Sequence, residues 1–86
     1  MEIYQLKVFL AVARCLNFTE AAESLNLTQP AVSAKIKSLE SDLKCSLFDR
    51  LGRQIQLTDV GQYLVKEAER LVELEAEISY KIEKFK

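Results

Sequence analysis

Residues 28–57 gather side chains suited to binding rather than to bond-making. Gln29 presents an amide donor and acceptor side by side. Ser33 and Ser38 carry hydroxyls, and Lys35, Lys37, Arg50 and Arg53 carry fixed positive charge. Thr19 and Thr28 add two more hydroxyls. Such groups hydrogen-bond planar polar edges and anionic oxygens. Nothing comparable serves catalysis. The 86 residues include no histidine and only two cysteines, Cys15 and Cys45, which are not a CxxC pair. No Cys/His cluster exists to hold zinc. No nucleophile motif and no glycine-rich phosphate loop occurs. An enzyme, a metal site and a cofactor are therefore not expected. Arg14 and Lys44 adjoin the two thiols, a thin hint of redox reactivity. Small, partly buried hydrophobes are the better reading of both cysteines.

The elements that must position these groups follow from apolar spacing. From about Ile3 to Leu16, the residues Ile3, Leu6, Leu10 and Ala13 recur at helical intervals, widened by Phe9 and Leu16. Tyr4, Val8 and Val12 form a second apolar side, which calls for a second cover. Asn17-Phe18-Thr19 breaks this helix, and a short one follows from about Thr19 to Leu25. Asn26-Leu27-Thr28 is the next break. Thr28 suits an N-cap, and Pro30 falls in a first turn where its missing N–H costs nothing. Val32, Ile36, Leu39 and Leu43 then make one tight stripe, opposed by Pro30, Ser33, Ala34, Lys37, Ser38 and Ser41.

Two helices joined by a short turn, the second with a bare polar face, form a helix-turn-helix pattern. Small residues on that face allow close approach to a major groove, while Gln and Lys reach base edges and phosphates. Gln56 and Gln54 alternate with Ile55 and Leu57, and Leu47-Phe48-Asp49-Arg50 precedes them. This period of two predicts a β-hairpin turning at Gly52. A hairpin after a recognition helix is a wing, and Arg53 at its tip suits a minor groove. Arg50 has two readings: a DNA contact, or an ion pair with Asp49 or Glu40. Ser38 is likewise a phosphate contact or a plain surface serine. Thr58, another N-cap, opens a helix running to the end of the chain, with Leu64, Leu71, Ile78 and Phe85 every seven residues. Leu74 and Ile82 fill in alongside. So long a helix cannot bury its stripe alone, so a second copy is expected to cover it together with Tyr4 and Val8.

The expected fold is mainly α: a winged helix-turn-helix of three helices and a hairpin over residues 1–57, then a dimerisation helix over 58–86. The net charge of −1 and pI of about 5.5 are unusual for a DNA binder. The acidity, however, lies in the last helix: residues 59–86 hold seven acidic and five basic residues, whereas 28–57 hold five basic and three acidic. No signal peptide and no membrane span is read, and a cytoplasmic address is expected. A protein-assembly winged helix is the rival reading. It would carry apolar anchors where the third segment is small, polar and basic.

The ordered stretches Leu6-Lys7-Val8-Phe9, Asn17-Phe18-Thr19-Glu20-Ala21-Ala22, Leu27-Thr28-Gln29-Pro30-Ala31-Val32-Ser33, Ile36-Lys37-Ser38-Leu39-Glu40, Leu47-Phe48-Asp49-Arg50 and Leu57-Thr58-Asp59-Val60-Gly61 cover nearly the whole chain. In this arrangement it resembles the N-terminal domain of LysR-type transcriptional regulators. The resemblance implies antiparallel pairing of linker helices and double-stranded DNA sites with an interrupted T…A dyad. It makes Gln29, Pro30 and Ser33 base-proximal, Thr19 and Thr28 backbone contacts, and Arg53 the minor-groove arginine; Ala34 and Lys37 share the base-proximal face, and Arg50 is expected on the minor-groove wing beside Arg53. Ala34 stands where many members carry arginine, so the preferred half-site is expected to differ, with Lys35 and Lys37 compensating through phosphates. It also implies that any small-molecule effector acts through a C-terminal domain absent from these residues.

Overall fold

The computed structural model describes residues 1–86 in the order α1 (Ile3–Cys15), α2 (Phe18–Leu25), α3 (Gln29–Leu43), β1 (Phe48–Leu51), β2 (Gln54–Leu57) and α4 (Asp59–Glu83). Polar caps account for most of these boundaries. The Glu2 N–H donates to Gln5 Oε1 at 2.7 Å in a capping box that opens α1. Leu16 closes α1 in the left-handed region, at φ 49°. Within the Asn17-Phe18-Thr19 break the N-cap of α2 is Asn17: its Oδ1 accepts the Glu20 N–H at 2.9 Å, and the helix starts at Phe18. Thr28 and Thr58 cap α3 and α4 by accepting the N–H of Ala31 and Gly61.

The core is one cluster in which α1 is the centre, packed by α2, α3 and α4. Phe9, Val8, Val12, Val32, Leu39 and Leu47 have no exposed surface. This corrects one expectation. The second apolar side of α1 is covered inside the protomer, so Val8 has no surface to offer a partner; of that side only Tyr4 remains exposed. Truncating a side chain such as Leu39 to alanine would cost ~2–5 kcal/mol.

The two strands pair antiparallel with Phe48 opposite Leu57 and Leu51 opposite Gln54. Gly52 takes a φ of +63° in the turn, a conformation that favours glycine. The wing is anchored at its base. Leu47 O accepts the Thr58 N–H at 3.0 Å, and Ser46 O accepts the Thr58 hydroxyl at 2.8 Å. Gly61 in the first turn of α4 sits so close to Leu47 that a Cβ would collide with the Leu47 carbonyl oxygen.

The 25-residue α4 is about 37 Å long, far longer than the body it packs on. Ala68 is buried, and Leu64, Val65 and Val72 rest on the core. Leu64, expected on a dimer face, is thus largely used within its own protomer. Beyond it Leu71, Leu74, Ile78, Ile82 and Phe85 are exposed, Phe85 to 89%. No helix is long and apolar enough to cross a membrane.

Candidate nucleic-acid interface

The apolar stripe of α3 fixes which of its residues face outward. Val32, Ile36 and Leu39 are buried, so Gln29, Pro30, Ala34 and Lys37 are left exposed and Ser33 half-exposed. Gln29 Nε2 donates to Ser33 Oγ at 3.1 Å, one turn along the same ridge. The Gln29 carbonyl oxygen and its second N–H stay free for an external edge.

Across a cleft from this ridge lies the wing. Ser33, Ile36, Lys37 and Glu40 of α3 line one wall, with Phe48, Arg50 and Ile55 of the hairpin opposite and Phe18 at the base. An adjoining, more polar cleft is lined by Asn17, Thr19, Gln29, Arg50 and Arg53. Thr19, Gln29, Ser33, Lys37, Arg50 and Arg53 therefore share one surface although they come from three segments.

The electrostatics of this surface are simple. All five ion pairs of the protein lie elsewhere: Met1 N-terminus–Asp42, Lys7–Glu75, Arg70–Glu67, Lys81–Glu77 and Lys86–Glu83. Lys37, Arg50 and Arg53 are thus uncompensated by carboxylates, and their charge is available to an anion. Glu40, the acid in the cleft, is occupied, its Oε2 accepting the Leu47 N–H at 2.7 Å.

Two expected phosphate contacts lie apart from this group. Ser38 Oγ accepts from the Nε2 of buried Gln5 at 3.0 Å, and Gln5 Nε2 also reaches Asp42 Oδ2 at 3.3 Å. Ser38 therefore ties α3 to α1. Lys35 turns toward the α1 flank, with its Nζ 5.6 Å from the centre of the Tyr4 ring. Arg50 pairs with neither Asp49 nor Glu40; its guanidinium lies over the Phe18 ring at 5.5 Å. Phe18 and Gln54 border this surface in addition to the residues expected there. Gln54 lines a groove beside Arg53 and is exposed, as the alternation along β2 implies. Phe18 has no local signal, because its contact with Arg50 spans thirty-two positions of chain.

A family model described as bacterial regulatory helix-turn-helix protein, lysR family, matches residues 3–62, which hold both the helix-turn-helix and the wing. The chain belongs to the lysR family. It is the DNA-binding domain of a LysR-type transcriptional regulator, and the family is one of regulators, not of enzymes. It is 49% identical over 72 residues to an uncharacterized HTH-type transcriptional regulator from the ibpB-leuC intergenic region of Azotobacter vinelandii, covering 84% of this chain and 50% of that protein. It is 50% identical over 62 residues to the RuBisCO operon transcriptional regulator of Allochromatium vinosum, covering 72% of this chain and 20% of that one. The LysR domain thus spans half or less of the length of these relatives. Among solved structures, the CbnR DBD–DNA complex superposes with a TM-score of 0.92 at 36% identity, covering 98% of this chain and 97% of that one. The complex of the BenM DBD with benA site 1 DNA gives 0.93 at 29% identity, covering 99% and 96%.

Proposed function

We propose that this LysR domain binds double-stranded DNA sequence-specifically as a homodimer, with α3 in the major groove and the wing in the minor groove. The observation that carries this reading is the shared surface of Thr19, Gln29, Ser33, Lys37, Arg50 and Arg53, whose three cations have no carboxylate partners. Gln29, Pro30, Ser33, Ala34 and Lys37 approach base edges. Thr19 and Thr28 contact the backbone, and Arg53 enters the minor groove from the tip of the hairpin. Two similar domains solved as DNA complexes support DNA as the partner. The target is a duplex with an interrupted T…A dyad, as the family resemblance implies.

The exposed row Leu71, Leu74, Ile78, Ile82 and Phe85 supports a second copy as the cover of α4, and Tyr4 on α1 is also exposed. Antiparallel pairing of two such helices would place two α3 ridges on one side of a dimer, matching a dyad. The protein works in the cytoplasm, where its DNA is, and any effector acts through a further domain.

Fluorescence anisotropy tests the reading, with random duplex and T…A dyad duplexes compared at two salt concentrations. Tighter binding to particular dyads, weakening as salt rises, is expected. A folded dimer that binds no duplex even at low salt would refute it.

A further inference from the structure

Arg50 is held in an unusual way for an exposed cation. No carboxylate reaches it, although Asp49 adjoins it and Glu40 lines the same cleft. Its guanidinium carbon lies over the Phe18 ring instead, 5.5 Å from the ring centre. That ring is itself fixed. Phe18 packs edge-on against Phe48 at 6.1 Å, and Phe48 against fully buried Phe9 at 5.5 Å. A line of three rings therefore runs from the core centre on α1, through β1, to the first residue of α2, and ends under Arg50. The guanidinium occupies the boundary between the two clefts, with Ser33 and Lys37 in one and Thr19, Gln29 and Arg53 in the other.

We propose that Phe18 is a positioning residue for DNA binding: its ring holds the Arg50 guanidinium, still fully charged, between α3 and the wing, where it meets a backbone phosphate. The proposal rests on the DNA-binding reading above and adds a role for an apolar residue that lines both clefts. An ion pair would also order Arg50, but it would neutralise the charge that phosphate requires. Stacking on a ring orders the plane and leaves the N–H edges pointing outward. It also lowers the side-chain entropy lost when phosphate binds, since Arg50 is already fixed. Arg53 has no such support at the hairpin tip, so the two arginines divide the work: Arg50 is held in place for backbone contact and Arg53 is left mobile enough to enter a groove.

The test is a double-mutant cycle on the full 86-residue chain, with random-sequence duplex as the probe and anisotropy titrations across a salt series. Phe18→Leu keeps an apolar side chain but removes the ring. It is expected to weaken binding about two- to fivefold. Arg50→Ala should lower the slope of log affinity against log salt by about 0.9, one phosphate contact. In the Arg50→Ala background Phe18→Leu should cost nothing more, and Phe18→Tyr, which retains the ring face, should restore the binding lost in Phe18→Leu. Equal losses from Phe18→Leu with and without Arg50 would overturn the proposal, because Phe18 would then act only through packing. A second measurement avoids any folding defect: the Arg50 side-chain protons of the unmutated protein should show upfield ring-current shifts by NMR. Random-coil shifts there would also overturn it. A wild-type chain that binds no duplex would remove the DNA-binding reading itself and this proposal with it, an outcome distinct from wild-type binding that Phe18→Leu leaves unchanged.

Discussion

Gly61→Ala sets two physical effects of opposite sign against each other. Gly61 lies in the first turns of a 25-residue helix, where alanine is the better helix former by ~1 kcal/mol. Propensity alone therefore predicts a more stable protein. The structure predicts the reverse. A Cβ at residue 61 would collide with the Leu47 carbonyl oxygen and press on a Leu57 methyl. The oxygen is backbone and cannot rotate away, and it already accepts the Thr58 N–H at 3.0 Å. Relieving the clash requires α4 to move off the base of the wing. Overpacking of this kind costs ~1–3 kcal/mol. Weakening the Thr58 hydrogen bond adds about 1 kcal/mol. After the propensity gain the net loss is about 2 kcal/mol, or roughly 10 °C in Tm for a domain of this size. The assay is thermal or urea unfolding followed by circular dichroism at one fixed protein concentration, because the proposed dimer would make stability concentration-dependent. An unchanged or raised Tm would refute the claim that this contact, rather than helix propensity, decides residue 61. DNA affinity should fall with it, because the same contact joins the base of the wing to the start of α4.

Gln29→Ala should cost ~1–3 kcal/mol on a specific site and relax the preference at one base position; equal losses on specific and random duplex would refute a base contact. Ile78→Asp should shift the protein from dimer to monomer in sedimentation without unfolding α1–α3, because the exposed end of α4 contributes nothing to that core; a persistent dimer would place the interface elsewhere. The Asp42 carboxyl is held below the usual carboxylate range, chiefly by its hydrogen bond with the Met1 amino group, then by the Gln5 amide and the charge of that amino group. Its folded value lies below its unfolded one. The stabilisation is therefore present above about pH 4 and lost as pH falls through the lower folded value. Asp42→Asn should flatten that part of the acid unfolding curve, and an unaltered curve would refute the linkage.

Much of this domain was legible in local chemistry. The apolar spacing of Val32, Ile36 and Leu39 marked the buried side of α3, and so the exposed ridge of Gln29, Ala34 and Lys37, because a helix turns through a constant angle per residue. Thr28 and Thr58 announced helix starts through side chains that accept nearby N–H groups. The period-two pattern of residues 54–57 and the glycine at 52 located the wing and put Arg53 at its tip. Local chemistry left the start of α2 open within Asn17-Phe18-Thr19. Asn17 and Thr19 both qualify by type, and only the extended backbone at Asn17, with its bond to the Glu20 N–H, settles the choice.

Residue types and spacing by themselves determined the elements of this LysR domain, their order and the outward ridge of α3, because these depend on interactions a few residues apart. Tertiary structure alone decided the fate of residues with two plausible partners. Val8 went to the protomer core because α1 is surrounded by three helices. Ser38 went to Gln5, and Lys35 to the side of Tyr4. Arg50 went to the Phe18 ring rather than to either nearby acid. Each of these contacts joins segments far apart in the chain, and its strength depends on distances that exist only once the helices and the wing have packed.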